Sequence, residues 1–201
     1  MRLQNPLSAV GTIGLDSQVL QVLCGTEQLL SAAQITQLLP EEGTRQGVQK
    51  SLGRLVEQGL VTDMTVGRSR AYSLNRRHLL ADAVVAMSRA RAALLSRITA
   101  LVDTWSTAPT TVTLFGSAAR GEMRSDSDID LLVVIPDDAD DDIFDTQIHE
   151  LASAVHSWTG NDVRPLVYRE SEVSPAPIFT EIVAQGIHVA GNRSWLRRQL
   201  R

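Results

Sequence analysis

The chain has 201 residues, 43% of them apolar, enough for two small domains or one large one with a buried core. Its single cysteine, Cys24, excludes an internal disulfide framework. No apolar run nears the roughly 20 residues of a membrane-spanning helix and no secretory signal pattern opens the chain, so a cytoplasmic protein without membrane contact is expected. The net charge of −4 is unevenly spread: residues 1–76 carry seven basic and six acidic side chains, residues 106–201 eight arginines and fifteen acids, a contrast that points to two regions with different partners.

Leu15, Val19, Val22 and Leu23 recur at helical spacing over residues 15–24, with Asp16 as N-cap and Gly25 as stop. Leu29 and Leu30 form a short extended piece. Ser31 and Gln34 make a capping-box signature; Ile35, Leu38 and Leu39 then give a second helix its apolar side, and Pro40 ends it. Thr44 caps a third helix from Arg45 to Gln58, with Val48, Leu52, Leu55 and Val56 inward and Gly59 as its stop. Residues 60–62 and 71–74 read as strands joined by a turn that carries Gly67, Arg68 and Arg70.

Three helices and a hairpin with a basic tip resemble the winged helix-turn-helix domain of bacterial regulators, with Leu52 to Val61 similar to the end of its recognition helix. The resemblance implies that residues 1–76 bind double-stranded DNA. Arg45, Gln49, Lys50 and Arg54 would face the major groove, and Arg68 and Arg70 would reach phosphate or the minor groove. The same charges also suit a solvated surface, and winged helices also serve as dimerisation modules.

Residues 76–105 read as one long helix, because Leu79, Leu80, Ala83, Val84, Met87, Leu94, Leu95, Ile98 and Val102 recur at three- and four-residue steps. As a linker over 77–105, its stripe either pairs with a second copy in a homodimer or packs on the chain's own two domains.

A strand over 111–115 then runs into a Gly116-Ser117 turn and a short helix. Asp128 and Asp130 head the apolar strand 129–135. Strand alternation points both carboxylates the same way, roughly 6–7 Å apart at Cα, while Ile129 points into the core. Such a pair repels itself unless a cation lies between, and hard divalent ions prefer carboxylate oxygens. Gly116 lets a phosphate approach the backbone closely. The acidic run from Asp137 to Asp142 reads as a solvated loop and helix start. A helix from Ile143 to Trp158, a strand over 163–168, a helix over 178–185, a short strand over 187–190 and a terminal helix from Ser194 complete the chain. His78, His149, His156 and His188 lack ligand spacing and read as structural or exposed; Trp158 and Trp195 read as core.

The string from Gly116 and Ser117 to Asp128, Asp130 and Leu131 resembles the polymerase β-type nucleotidyltransferase superfamily, in particular its minimal branch of antitoxin-type and antibiotic-modifying enzymes. The resemblance implies a mixed-sheet nucleotidyltransferase fold over 106–201, hence an α+β/α/β class for the whole chain. It also implies roles. Asp128 and Asp130 hold Mg2+ or Mn2+; Gly116 and Ser117 hold the triphosphate of an NTP, expected to be ATP. Arg120 neutralises that triphosphate unless it pairs with Glu122 or Asp126. The nucleoside monophosphate would pass to a hydroxyl of a protein, a small molecule or RNA.

Relatives of this kind carry a third acid on the next core strand, and the matching position falls near Arg164. Three readings stay open. Asp162, two residues back, is the third catalytic acid; the enzyme runs slowly on two carboxylates; or the domain binds nucleotide without turnover as the sensor of a transcriptional regulator, with Arg164 offered to a phosphate. An antitoxin that modifies a toxin partner is a further alternative.

Overall fold

The computed structural model describes residues 1–10 and 14–201. The chain divides into two compact units, Arg2–Arg91 and Ala92–Arg201, with Met1 joining the second.

In the first unit, helices α1 (Asp16–Cys24), α2 (Ala32–Gln37), α3 (Arg45–Glu57) and α4 (Ala81–Ser88) accompany strands β1 (Leu30–Ser31), β2 (Val61–Val66) and β3 (Ser69–Leu74). The strands form an antiparallel sheet in the order β1-β3-β2. Val19, Leu23, Ile35, Val48, Leu52 and Val61 centre its core. The capping box opens α2: Ser31 Oγ accepts the Gln34 N–H and Gln34 Oε1 accepts the Ser31 N–H. Thr44 Oγ1 accepts the Gly47 N–H at 3.1 Å and starts α3. At α1 the cap differs from expectation. Leu15 occupies the N-cap, and the Asp16 carboxylate instead takes Arg54 at 2.6 Å. The hairpin is longer than its sequence suggests, because Gly67 at φ +61° permits a two-residue turn that keeps the strands in register out to Val66 and Ser69.

The single helix expected over 77–105 is two helices. Residues 76–80 are turns, and Leu79 is 94% exposed. Side chains there compete with a helical ladder: Asn75 Oδ1 accepts the Arg77 N–H and His78 Nδ1 accepts the Leu80 N–H. A second break, at Arg89, separates α4 from α5 (Ala90–Val102). Beside it Ser88 Oγ donates back to Val85 O at 2.8 Å, a bond that bends helices. Val84 joins the first unit's core, while Leu94, Ile98 and Val102 are the buried positions of α5.

The second unit holds β4 (Thr111–Phe115), α6 (Gly116–Arg120), β5 (Ile129–Ile135), α7 (Asp141–Thr159), β6 (Val163–Arg169), α8 (Pro177–Gln185), β7 (Ile187–Gly191) and α9 (Trp195–Gln199). Its sheet runs β6-β5-β4-β7; β5 and β6 are parallel and the other pairs antiparallel. A parallel pair needs a long crossover, which α7 supplies. Asp140 caps that helix by accepting the Ile143 N–H at 3.2 Å, and Asp141 and Asp142 fill its first turn, so the acidic run is a loop and helix start. β5 is buried along both faces, as an interior strand with parallel pairing should be. Its Leu132 and Val134 pack with Phe179, Ile182 and Leu196. β6 lies at the sheet edge, where Pro165 is tolerated. Among the described residues no helix is long and apolar enough to cross a membrane.

Candidate active site

β4 and β5 pair so that Phe115 faces Asp130 in register. The next residue, Gly116, sits at φ +66°. A Cβ there would overlap Asp130 Oδ2, so the carboxylate occupies the space that only a glycine leaves free. The short α6 follows, closed by Gly121 at φ +75°. The loop back to β5 is held from three sides. Met123 is buried at 2% exposure. Ser127 Oγ accepts the Arg124 N–H at 2.8 Å. Asn161, 3% exposed, donates from Nδ2 to Ser127 O at 2.9 Å. The backbone of Asp162 adds a carbonyl that accepts the Ile129 N–H at 2.8 Å. The α7–β6 turn therefore fixes the loop that delivers Asp128.

Asp128 and Asp130 are both half-buried. Burial, reinforced by the negative charge of Asp128, holds the Asp130 carboxyl above the usual carboxylate range, against the opposing pull of Arg164 and Arg120. Parallel register sets Arg164 opposite Asp130, and Arg164 Nη2 bonds Asp128 Oδ2 at 2.9 Å. A guanidinium, not a carboxylate, thus stands in register with Asp130. Arg120 binds Glu122 and, across to α8, Glu181, each at 2.7 Å.

Asp162 does not join the other two carboxylates. Its side chain is 83% exposed and lies 3.7 Å from His156 Nδ1. Two residues from Arg164 would put Asp162 on the same face within a strand, but Asp162 precedes the first residue of β6, where alternation no longer governs direction. Glu170, at the far end of that strand, accepts from Thr110 Oγ1 at 2.7 Å. Among the described residues, no group of three His, Cys, Asp or Glu side chains converges on a metal position. Two neighbouring hard carboxylates, one held above its usual range in part by the other's charge, have the donor chemistry that would suit a divalent ion.

Three features escaped sequence reasoning. Asn161 supports the loop, Glu181 reaches Arg120 from α8, and His149 and His156 line one open groove with Asp162 and Arg164. The seven-residue step from His149 to His156, two turns of one helix, was the available signal for the last.

In the first unit, Arg45, Gln49 and Lys50 share the exposed side of α3. Arg54 does not join them: its donors bind Asp16 and, at 3.1 Å, Ser51 Oγ, tying α3 to α1. Arg68 is exposed at the hairpin tip, and Arg70 pairs with Asp63 at 3.1 Å.

Residues 97–175 match the family model of the nucleotidyltransferase domain. No curated protein matches the chain. Among solved structures, one from a toxin–antitoxin complex with AMP-PNP is 23% identical over 49% of this chain and 74% of its own, with a TM-score of 0.37. A second, from the complex of the tri-AMPylated Shewanella oneidensis HEPN toxin with its MNT antitoxin, is 20% identical over 54% and 82%, at 0.38. TrmBL2, an archaeal chromatin protein, is 12% identical over 83% and 69%, at 0.33. At these scores the likenesses are too distant to carry the reading of the site.

Proposed function

We propose that the chain is a DNA-binding protein with a nucleotidyl-transfer site: Asp128 and Asp130 hold an NTP-bound Mg2+ or Mn2+, and the nucleoside monophosphate passes to an acceptor hydroxyl. The observation that carries this reading is the seat itself, a carboxylate packed on Gly116 with a second one close by, two residues earlier at the entrance to the same strand. The ion, when bound, would screen the phosphates and draw charge from the reacting phosphorus. The protein's own part is positional. Ser117, at the start of α6, offers its amide and hydroxyl to the phosphate tail, and Arg120, one turn on, faces that tail once it leaves Glu122 and Glu181. ATP is the expected nucleotide; the acceptor belongs to a protein, a small molecule or RNA, and a toxin would be one such protein. Residues 1–76 supply the winged helix-turn-helix, with Arg45, Gln49 and Lys50 toward the major groove and Arg68 and Arg70 on the wing.

The Arg164–Asp128 pair favours a second reading, a regulator that senses nucleotide without consuming it. A guanidinium can grip a phosphate, but it stays protonated and cannot take a proton from an attacking hydroxyl. Incubation with labelled ATP and Mg2+ separates the two. Pyrophosphate release that Asp128→Asn abolishes supports transfer; ATP that alters DNA affinity yet stays intact supports the sensor; no ATP binding overturns both. On the DNA side, Arg68→Ala should flatten the log–log salt dependence by about 0.9 for each phosphate that the side chain no longer neutralises. An unchanged slope removes the wing from the interface.

A further inference from the structure

A recess of about 110 Å3, open to solvent at one side, lies between β4, β7, α8 and α9. Thr111 and Thr113 form its floor at 2% and 7% exposure. They oppose Val134 and Leu132 in register, so they share the sheet face of Asp130 by strand alternation. Arg193 and Arg197 stand exposed at its mouth, and His188, the register partner of Thr113, lines its side. Among the described residues neither arginine has an ion-pair partner and neither threonine hydroxyl has a hydrogen bond. The His188 Nδ1 is buried and also lacks a partner. No carboxylate lines the recess, although residues 106–201 carry fifteen acids against eight arginines.

Buried polar groups are nearly always bonded, so the buried, unpartnered His188 nitrogen beside two free threonine hydroxyls and two unpaired guanidinium groups describes a site shaped for an anion. We propose that this recess binds a small ligand of the phosphate class, with Arg193 and Arg197 closing on the anion from outside while the Thr111 and Thr113 hydroxyls bond it from the floor. A threonine at these exposures is beyond the reach of a duplex backbone, which points to a small molecule rather than nucleic acid. The shared chemistry is a phosphate dianion, free or as the terminal group of a nucleotide. The site is separate from Asp128 and Asp130 and needs no metal.

Calorimetry on the full chain in EDTA tests this, with inorganic phosphate in one arm and AMP in the other. Phosphate should bind wild type and Asp128→Asn alike. The double variant Arg193→Gln/Arg197→Gln, altered only at exposed positions, should bind roughly tenfold or more weakly, and Thr113→Val several-fold more weakly, as expected for bonds to a charged group. His188 ring signals should move during the titration of wild type and stay fixed in the double variant. AMP binding tighter than phosphate assigns the site to a nucleotide, equal affinities to the free ion. The proposal is overturned if wild type shows no saturable phosphate binding, or if the double variant binds as wild type does. Failure of the transfer site reads out separately, as absent Mg-ATP binding with phosphate binding intact.

Discussion

The β5–β6 pair carries an arginine toward each end, and the two do opposite work. At the far end, Arg169 has a side chain only 26% exposed; it donates to the carbonyls of Pro136, Asp137 and Ala139 and to the Asp141 carboxylate. At the near end, Arg164 is 72% exposed and meets a single carboxylate, Asp128, while the neighbouring Asp130 stays above its usual titration range. One arginine is saturated by backbone it folds against. The other faces a carboxylate pair whose charge it offsets only in part. A strand pair can therefore be structural at one end and leave electrostatic work undone at the other, and the undone work marks the candidate site.

The largest effect expected is at Gly116. A Cβ would drive into Asp130 Oδ2 and strain a φ of +66°. Gly116→Ala should lose about 2 kcal/mol or more of stability and abolish ATP binding. Gly160 also has positive φ, at +71°, but nothing lies within 4 Å of its Cβ position, so Gly160→Ala should cost only about 1 kcal/mol and leave ATP binding intact. Urea denaturation with ATP titration checks both; equal losses would mean that the space over Gly116 is not reserved for the carboxylate.

Next come the arginines themselves. Arg169→Ala leaves three carbonyls and a carboxylate short of a donor and should cost about 2 kcal/mol. Arg164→Ala removes one exposed ion pair and should cost less than about 0.5 kcal/mol while changing Mg-ATP affinity. If the two variants melt alike, the contrast between the ends is broken. Arg164→Asp sharpens it from the other side. A carboxylate opposite Asp130 should tighten Mg2+ binding by roughly tenfold, on the scale of one added charged ligand, and raise pyrophosphate release if transfer is the activity. Asp162→Asn, well exposed and beside His156, should leave both readouts unchanged.

Much of this was legible from residue order. The Gly116-Ser117 turn and the strands at 111–115 and 129–135 follow from local rules, because glycine conformation and strand hydrophobicity act over a few residues. Thr44 and the Ser31–Gln34 box likewise announced their helices. What was not legible depends on partners distant in sequence. Arg54 looked like a groove-facing residue until Asp16, 38 positions away, took its guanidinium. The helix over 77–105 obeyed periodicity, yet side-chain bonds from Asn75, His78 and Ser88 interrupt it. Asp162 stood two residues from Arg164 in the sequence but lies outside the strand that would turn it to the same face. His188 had no ligand spacing; only the pairing of β4 with β7 sets it beside Thr113.

The smallest effect expected is a pH dependence at the saturated end. Asp137 Oδ1 accepts the Ser171 N–H at 2.9 Å, and this bond, with the charge of Arg169 nearby, holds its carboxyl below the usual range. A carboxylate depressed in the folded state adds stability above its unfolded value of about 3.9, and that contribution disappears as pH falls through the lower folded value. Asp137→Asn should therefore lower the urea midpoint slightly at pH 7, and the difference should shrink as pH falls below about 3.9. Asp130 is shifted the other way, by burial and a like charge rather than by donors, so it opposes folding at neutral pH where Asp137 assists it. If the Asp137→Asn difference persists undiminished at pH 2, the aspartate acts there through packing and the two ends of the strand pair are not electrostatic opposites.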